Sequence, residues 1–196
     1  MLQRAIEVGD TKRQQLSQRV YPSTYRGVAM WGETLAELRR QCLRRRDDWD
    51  IGSSSHFATV YCPKRNIAIA VAGGDAAVGA DSQRAPRLTR KRGDKTTQRV
   101  QHNAHELYVQ GVLFDAPEIT KKLPPDEACQ TWYLLVHPTS KEVRLELSCP
   151  TSIDGDGIVS GWHERILLPP VPISGAIAPI SPDDDDDSGD APLVGR

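Results

Sequence analysis

Apolar positions divide the first part of the chain into a polar arm and an amphipathic helix. In residues 1–22 the apolar residues Ile6 and Leu16 are too isolated to form a stripe, and Pro22 interrupts the segment. From Trp31 onward, apolar side chains recur every four, three and four residues, at Trp31, Leu35, Leu38 and Cys42. This period predicts a helix with one apolar face, preceded by a polar N-terminal arm over residues 1–22.

Alternating patterns then predict two β-hairpins. The first joins two β-branched or aromatic runs, residues 57–62 and 67–72, through the turn signal Pro63-Lys64-Arg65-Asn66. Its second strand places isoleucine and valine on one face and alanine on the other. The second hairpin covers residues 132–147, where an apolar strand precedes one that alternates leucine or valine with charge. We expect those charges to face solvent; they are Glu142, Arg144 and Glu146.

A second helix is predicted near residues 97–114, with apolar side chains at Val100, Ala104 and Leu107. Residues 158–168 have a mixed pattern with Glu164 and Arg165, which is typical of an edge strand. The pattern therefore predicts a single α+β domain over residues 23–168. We expect a mainly antiparallel sheet of two hairpins plus an edge strand, with two amphipathic helices on one face. Residues 169–196 are rich in proline and aspartate, which predicts a disordered C-terminal tail.

Composition narrows the class of protein. The sequence has 38% hydrophobic and 26% charged residues and contains no apolar run of a signal peptide or membrane span, so we expect a cytoplasmic protein without membrane contact. The four cysteines stand singly, which indicates buried thiols rather than a disulfide scaffold or zinc ribbon.

Charge is unevenly distributed. Residues 1–168 hold 24 Lys and Arg against 20 Asp and Glu, whereas the tail carries six aspartates and one arginine. Residues 84–99 carry seven cations and one acid, and Pro86 and Gly93 indicate an exposed loop. The cations are Arg84, Arg87, Arg90, Lys91, Arg92, Lys95 and Arg99. This run predicts contact with nucleic acid or another polyanion, and the alternative is a solvated linker. If six of these charges met DNA phosphates, affinity would fall about a thousandfold between 50 and 200 mM salt.

Other motifs are incomplete. Gly74 and Gly79 have the spacing of a phosphate-binding loop, but Ala80 and Asp81 stand where such a loop needs Lys and Ser or Thr. The spacing of His102, His105 and Glu106 suits metal ligation but lacks further ligands, and Asp154-Gly155-Asp156-Gly157 lacks the later ligands of a calcium loop. We therefore predict no metal and no cofactor.

Three function classes remain open. The leading prediction is a non-catalytic binding or regulatory protein that contacts nucleic acid or an acidic partner through residues 84–99. The alternative is a protein-protein adaptor or accessory subunit that uses the proline-rich tail, in which Pro169–Pro172 forms a minimal P-x-x-P. The third is an enzyme with an unrecognised site, for which His56, His102, His105 and Asp75 are the first residues to inspect; no catalytic motif identifies them. The run Asp183–Asp187 could also fold back on the basic residues.

Overall fold

The structure is a computed structural model, and it describes residues 1–22, 24–45, 47–82, 84–111 and 123–173. The predicted disorder of residues 174–196, including Asp183–Asp187, and the predicted helical residues 112–114 lie outside the described residues.

A six-stranded sheet forms the centre of the fold. The strands follow one another across the sheet in chain order, and every neighbouring pair is antiparallel except the parallel pair of the third and fourth strands. They are β1 (Asp50–Gly52), β2 (Thr59–Cys62), β3 (Ile67–Gly73), β4 (Gln130–Pro138), β5 (Glu142–Ile153) and β6 (Val159–Pro172). Both predicted hairpins, the edge strand and the α+β class are therefore confirmed.

Two helices cover one face of the sheet. They are α1 (Leu2–Gln15) and α2 (Tyr25–Leu43), and they pack on Ile69, Val71 and other apolar side chains of β3 to β6. The sequence pattern places Ile6 outside any apolar stripe, in a polar arm, whereas in the structure Ile6 is fully buried in this cluster. Met30, Leu35 and Leu38 of α2 belong to the same apolar cluster and complete the surroundings of Ile6.

The opposite face is covered by α3 (Asp94–Gly111) together with the connection from β3. Val100 of α3 packs with Ala70, Ala72 and Leu88. The two amphipathic helices predicted from the sequence, α2 and α3, therefore lie on opposite faces of the sheet and not on one face as expected. The alternation along β3 explains the difference, because its isoleucine and valine face points to α2 and its alanine face points to α3. A short helix, α4 (Pro125–Ala128), precedes β4.

Strand β6 is longer than the predicted edge strand. Val171 pairs with Val143 and Pro172 with Glu142, and Val171 is buried in the core. Pro169–Pro172 is thus part of the sheet, and the prediction that the tail starts at residue 169 is wrong. Proline is accommodated here because an edge strand leaves one side of its backbone without a ladder partner.

Glu146 does not face solvent, although the alternation along β5 predicts that it should. Its side chain is fully buried and accepts hydrogen bonds from Arg165 (2.7 Å), Ser148 (2.7 Å) and the Gly79 amide (2.8 Å). Its face of β5 is covered by the connection from β3, which a pattern of local alternation does not reveal.

Candidate functional site: a groove beside the basic segment

The basic segment, residues 84–99, packs against the sheet more closely than the exposed loop predicted from its composition. Leu88 is buried, forms a β-bridge with Gly74 and donates its amide to the Val159 carbonyl at 3.2 Å. Asp75 accepts hydrogen bonds from the amides of Ala77 (3.1 Å) and Arg87 (3.3 Å). The start of the segment is thus held against the end of β3 and against Val159 of β6.

The turn at residues 154–157 holds the middle of the segment. Asp154 pairs with Arg87 at 2.5 Å, and the Gly157 carbonyl accepts the Arg92 amide at 2.8 Å. The Arg87 guanidinium and the amides of Ile158 and Asp156 lower the pKa of Asp154, with the Ile158 amide the largest contributor. The sequence of this turn resembles the start of a calcium loop. Its Asp154 carboxylate and Gly157 carbonyl, however, accept hydrogen bonds from other groups of the protein.

Four of the seven predicted contact residues, including Arg87, have an acid partner. Arg84 pairs with Asp75 (2.9 Å) and Lys91 lies 3.9 Å from Asp156. Arg99 is only 4% exposed in its side chain and donates to the Asp126 carboxylate (2.8 Å) and carbonyl (2.7 Å). Arg99 is consequently a structural residue with no surface to offer a polyanion, and including it among the contact residues is wrong. Arg99 lies on α3 between Thr96 and Asn103, which are also buried, so a helical period across polar positions could have indicated its inward direction.

Three cations of the segment have no carboxylate partner among the described residues: Arg90, Arg92 and Lys95. Arg90 is exposed, and Lys95 donates to the side chain of Gln98 at 3.0 Å. Arg92 is half-buried, and its Nε atom is buried without a hydrogen-bond partner. Its guanidinium carbon lies 6.0 Å from the centre of the Tyr133 ring. A buried guanidinium nitrogen that lacks an acceptor is costly and is the kind of group that an anion satisfies.

Arg90 and Arg92 border a groove of about 370 Å³ between the basic segment and α2. The opposite wall is formed by Val28 and Trp31 of α2, two residues that are 45% and 43% exposed. Trp31 was predicted as part of the buried stripe of α2, whereas Leu35, Leu38 and Cys42 of that stripe are buried as expected. The groove therefore combines two unpaired arginines with an accessible indole ring.

The floor of the groove is the end of β3. Strand β2 pairs with β3 only as far as Ile69, so Val71 and Gly73 have no strand partner on that side. Trp31 Nε1 donates to the Val71 carbonyl at 3.0 Å, and the Thr89 amide and hydroxyl both lie 3.2 Å from the Gly73 carbonyl. These bonds fix the indole ring and the start of the basic segment at the two sides of the groove.

The residues named for an enzyme have separate structural contacts. Asp75 holds the turn described above, and the His102 ring lies 3.2 Å from the Ala128 carbonyl. His105 has a buried Nδ1 without a partner, and His56 lies beside Arg92 and Trp31. Within the described ranges, no group of three or more His, Cys, Asp or Glu side chains could hold a metal ion.

The four cysteines are all free and buried, as predicted. Burial raises the pKa of the Cys42 thiol to about 11 and that of the Cys149 thiol to about 12. Both thiols are therefore protonated at neutral pH, which makes them poor nucleophiles.

Among the described residues, no helix has the length and apolar character needed to cross a membrane. Comparison with known proteins gave no match to a family model, to a curated protein or to a solved structure.

Proposed function

We propose that this protein binds single-stranded nucleic acid in the groove, with phosphates at Arg90 and Arg92 and a base stacked on Trp31. The observation that carries the proposal is that Arg90 and Arg92, which have no acid partner among the described residues, line the same groove as the exposed Trp31. Proteins that bind single strands combine a cationic track with aromatic side chains on which bases stack. The basic segment contains no aromatic residue, and α2 supplies one.

Trp31 is suited to stacking because it is both exposed and held in place. Its Nε1–H donates to the Val71 carbonyl, so the ring is fixed through its polar edge while the residue as a whole is 43% exposed. A base that stacks on such a side chain contributes about 1–3 kcal/mol.

Three unpaired cations also set the expected salt dependence. Each phosphate contact to a single strand contributes about −0.7 to the slope of log affinity against log salt, so Arg90, Arg92 and Lys95 together give about −2. Affinity should then fall roughly twentyfold between 50 and 200 mM salt. A slope near −4 would mean that the paired cations exchange their acids for phosphates.

The adaptor alternative has less support in the described residues. Its P-x-x-P lies in β6, where Pro172 is paired with Glu142, so this segment is not available as a free polyproline helix. The remainder of the proposed partner-binding tail lies outside the described residues.

Two glycines of α2 allow a sharp test of the groove. A Cβ at Gly27 or Gly32 would meet no atom within 4 Å, but only Gly27 lines the groove. Glycine to leucine at either position favours the helix by about 0.5–1 kcal/mol. We expect Gly27→Leu to obstruct the groove and weaken binding of a ten-residue oligothymidylate at least tenfold in a fluorescence titration, and Gly32→Leu to leave it within twofold.

A charge test complements the steric one. Arg90→Gln with Arg92→Gln should make the salt slope shallower by about 1.4, because two phosphate contacts are lost. Arg4→Gln removes one exposed charge on α1 and should leave the slope unchanged. If the wild-type chain binds no oligonucleotide at 50 mM salt, or if Gly27→Leu binds as well as Gly32→Leu, the proposal is wrong.

A further inference from the structure

A smaller recess of about 130 Å³ adjoins the groove behind Arg92. The two cavities share Trp31, Val71 and Arg92 in their walls. Ala70 and Tyr133 are among its lining residues, and both are buried. Its volume is about four times the 30 Å³ that a water molecule occupies in the liquid, which is room for a small tetrahedral anion.

The residues that line the recess include a cation and no acid. Arg92 and His56 line it, and none of its lining residues is a carboxylate. The Arg92 Nε atom is buried and has no acceptor among the described residues. An uncompensated guanidinium is unfavourable in such a place unless a ligand brings the negative charge.

Backbone hydrogen bonds fix the main chain at both Arg92 and His56. The Arg92 amide is bonded to Gly157, whose φ of 78° suits glycine, and a Cβ on Gly157 would lie 3.2 Å from the Arg92 carbonyl oxygen. His56 has a φ of 62°, and its amide donates to the Ser53 carbonyl at 3.1 Å. A positive φ is uncommon for a residue with a side chain and is found where the surrounding structure enforces it.

We infer that this recess binds a terminal phosphate monoester, so that the groove prefers a nucleic acid strand with a phosphorylated end. The inference rests on the proposed function. An internal phosphodiester is tethered on two sides and offers only two free oxygens, so it fits a space of about 130 Å³ less well. A terminal phosphate is tethered on one side, offers three oxygens and carries up to two charges, and Arg92 can bind two of those oxygens with its planar fork.

The test compares ten-residue oligothymidylates that differ only at their ends, measured by quenching of intrinsic tryptophan fluorescence at 100 mM salt. The arms are a 5′-phosphate, a 3′-phosphate and hydroxyl groups at both ends. We expect one phosphorylated form to bind about tenfold more tightly than the hydroxyl form, as one charge-assisted contact provides. The arm that gains identifies the end that is recognised.

Variants assign this preference to Arg92. Arg92→Gln should abolish the tenfold preference, whereas Arg90→Gln should weaken all three oligonucleotides and keep it. Arg92→Lys retains the charge without the planar fork and should keep only part of the preference. Because Arg92 has no acid partner within the described ranges, Arg92→Gln should fold with an unchanged or higher midpoint of thermal unfolding, which a structural arginine would not show.

The outcomes separate the two proposals. If all three oligonucleotides bind equally, or if Arg92→Gln keeps the preference, the recess inference is overturned and the proposed function stands. If none of them binds, the proposed function is overturned and the inference falls with it.

Discussion

Arg92 and Arg99 belong to the same basic segment and differ in almost every other respect. Arg99 is buried against Asp126, Thr131 and the ring of Phe57, whose centre lies 4.5 Å from its guanidinium carbon. Arg92 is half-buried beside two cavities and has no acid partner among the described residues. One cation therefore stabilises the fold and the other is left for a ligand, so the density of charge in a sequence does not by itself mark a binding surface.

The largest effect should come from replacing Arg99. After Arg99→Met the Asp126 carboxylate stays buried, and Ser54, at 2.5 Å, is its one remaining side-chain donor among the described residues. Removing one partner of a buried ion pair costs about 3–5 kcal/mol in the free energy of unfolding, which urea denaturation will measure.

Arg92→Met is the matched control, because it removes the same kind of side chain from a site without an acid. It should leave the free energy of unfolding unchanged or raise it. Equal losses in the two variants would erase the distinction between the two arginines.

The second buried pair, Glu146 with Arg165, predicts a pH effect of intermediate size. Burial raises the pKa of the Glu146 carboxyl, but hydrogen bonds from Arg165, Ser148 and Gly79 outweigh it and hold the pKa below its ordinary value. The pair therefore stabilises the fold above the ordinary carboxyl pKa of about 4.3, and this contribution is lost as the pH falls through the lower folded value.

Glu146→Gln should cost about 1–3 kcal/mol at pH 7 and should make unfolding less sensitive to pH between about 5 and 3. Glu37→Gln is the control. The pKa of Glu37 is also lowered, by Gln41 first and then by Arg40, but this pair lies at the surface of α2. A pH dependence that is unchanged in Glu146→Gln would show that its ion pair does not govern acid stability.

The local period of apolar side chains was sufficient to predict most of the helices and strands of the fold. The hairpin turn at residues 63–66, the two faces of β3 and the apolar stripe from Leu35 to Cys42 follow from side-chain spacing, and the structure confirms them. The errors concern what covers a surface. Glu146 and Ile6 are buried by segments distant in sequence, and no local pattern records that contact.

The candidate site also combines features that a local pattern predicts with contacts between segments distant in sequence. The sequence identified Arg90 and Arg92 as part of a basic run, but Trp31 comes from a helix about sixty residues earlier in the chain. The acids that neutralise Lys91 and Arg87 come from a turn about sixty residues later. Which cations stay unpaired is thus a property of tertiary structure.

The smallest effect should come from Arg84, which carries the same formal charge as Arg92 but pairs with Asp75 at the surface, where its side chain is 73% exposed. An exposed ion pair contributes about 0–1 kcal/mol, and Asp75 keeps its bonds to the Ala77 and Arg87 amides. Arg84→Gln should therefore change neither the midpoint of thermal unfolding by more than a few degrees nor the affinity for oligothymidylate by more than about twofold. If it weakens binding as much as Arg92→Gln does, the whole segment acts as one diffuse charge, and the contrast between paired and unpaired arginines has no bearing on binding.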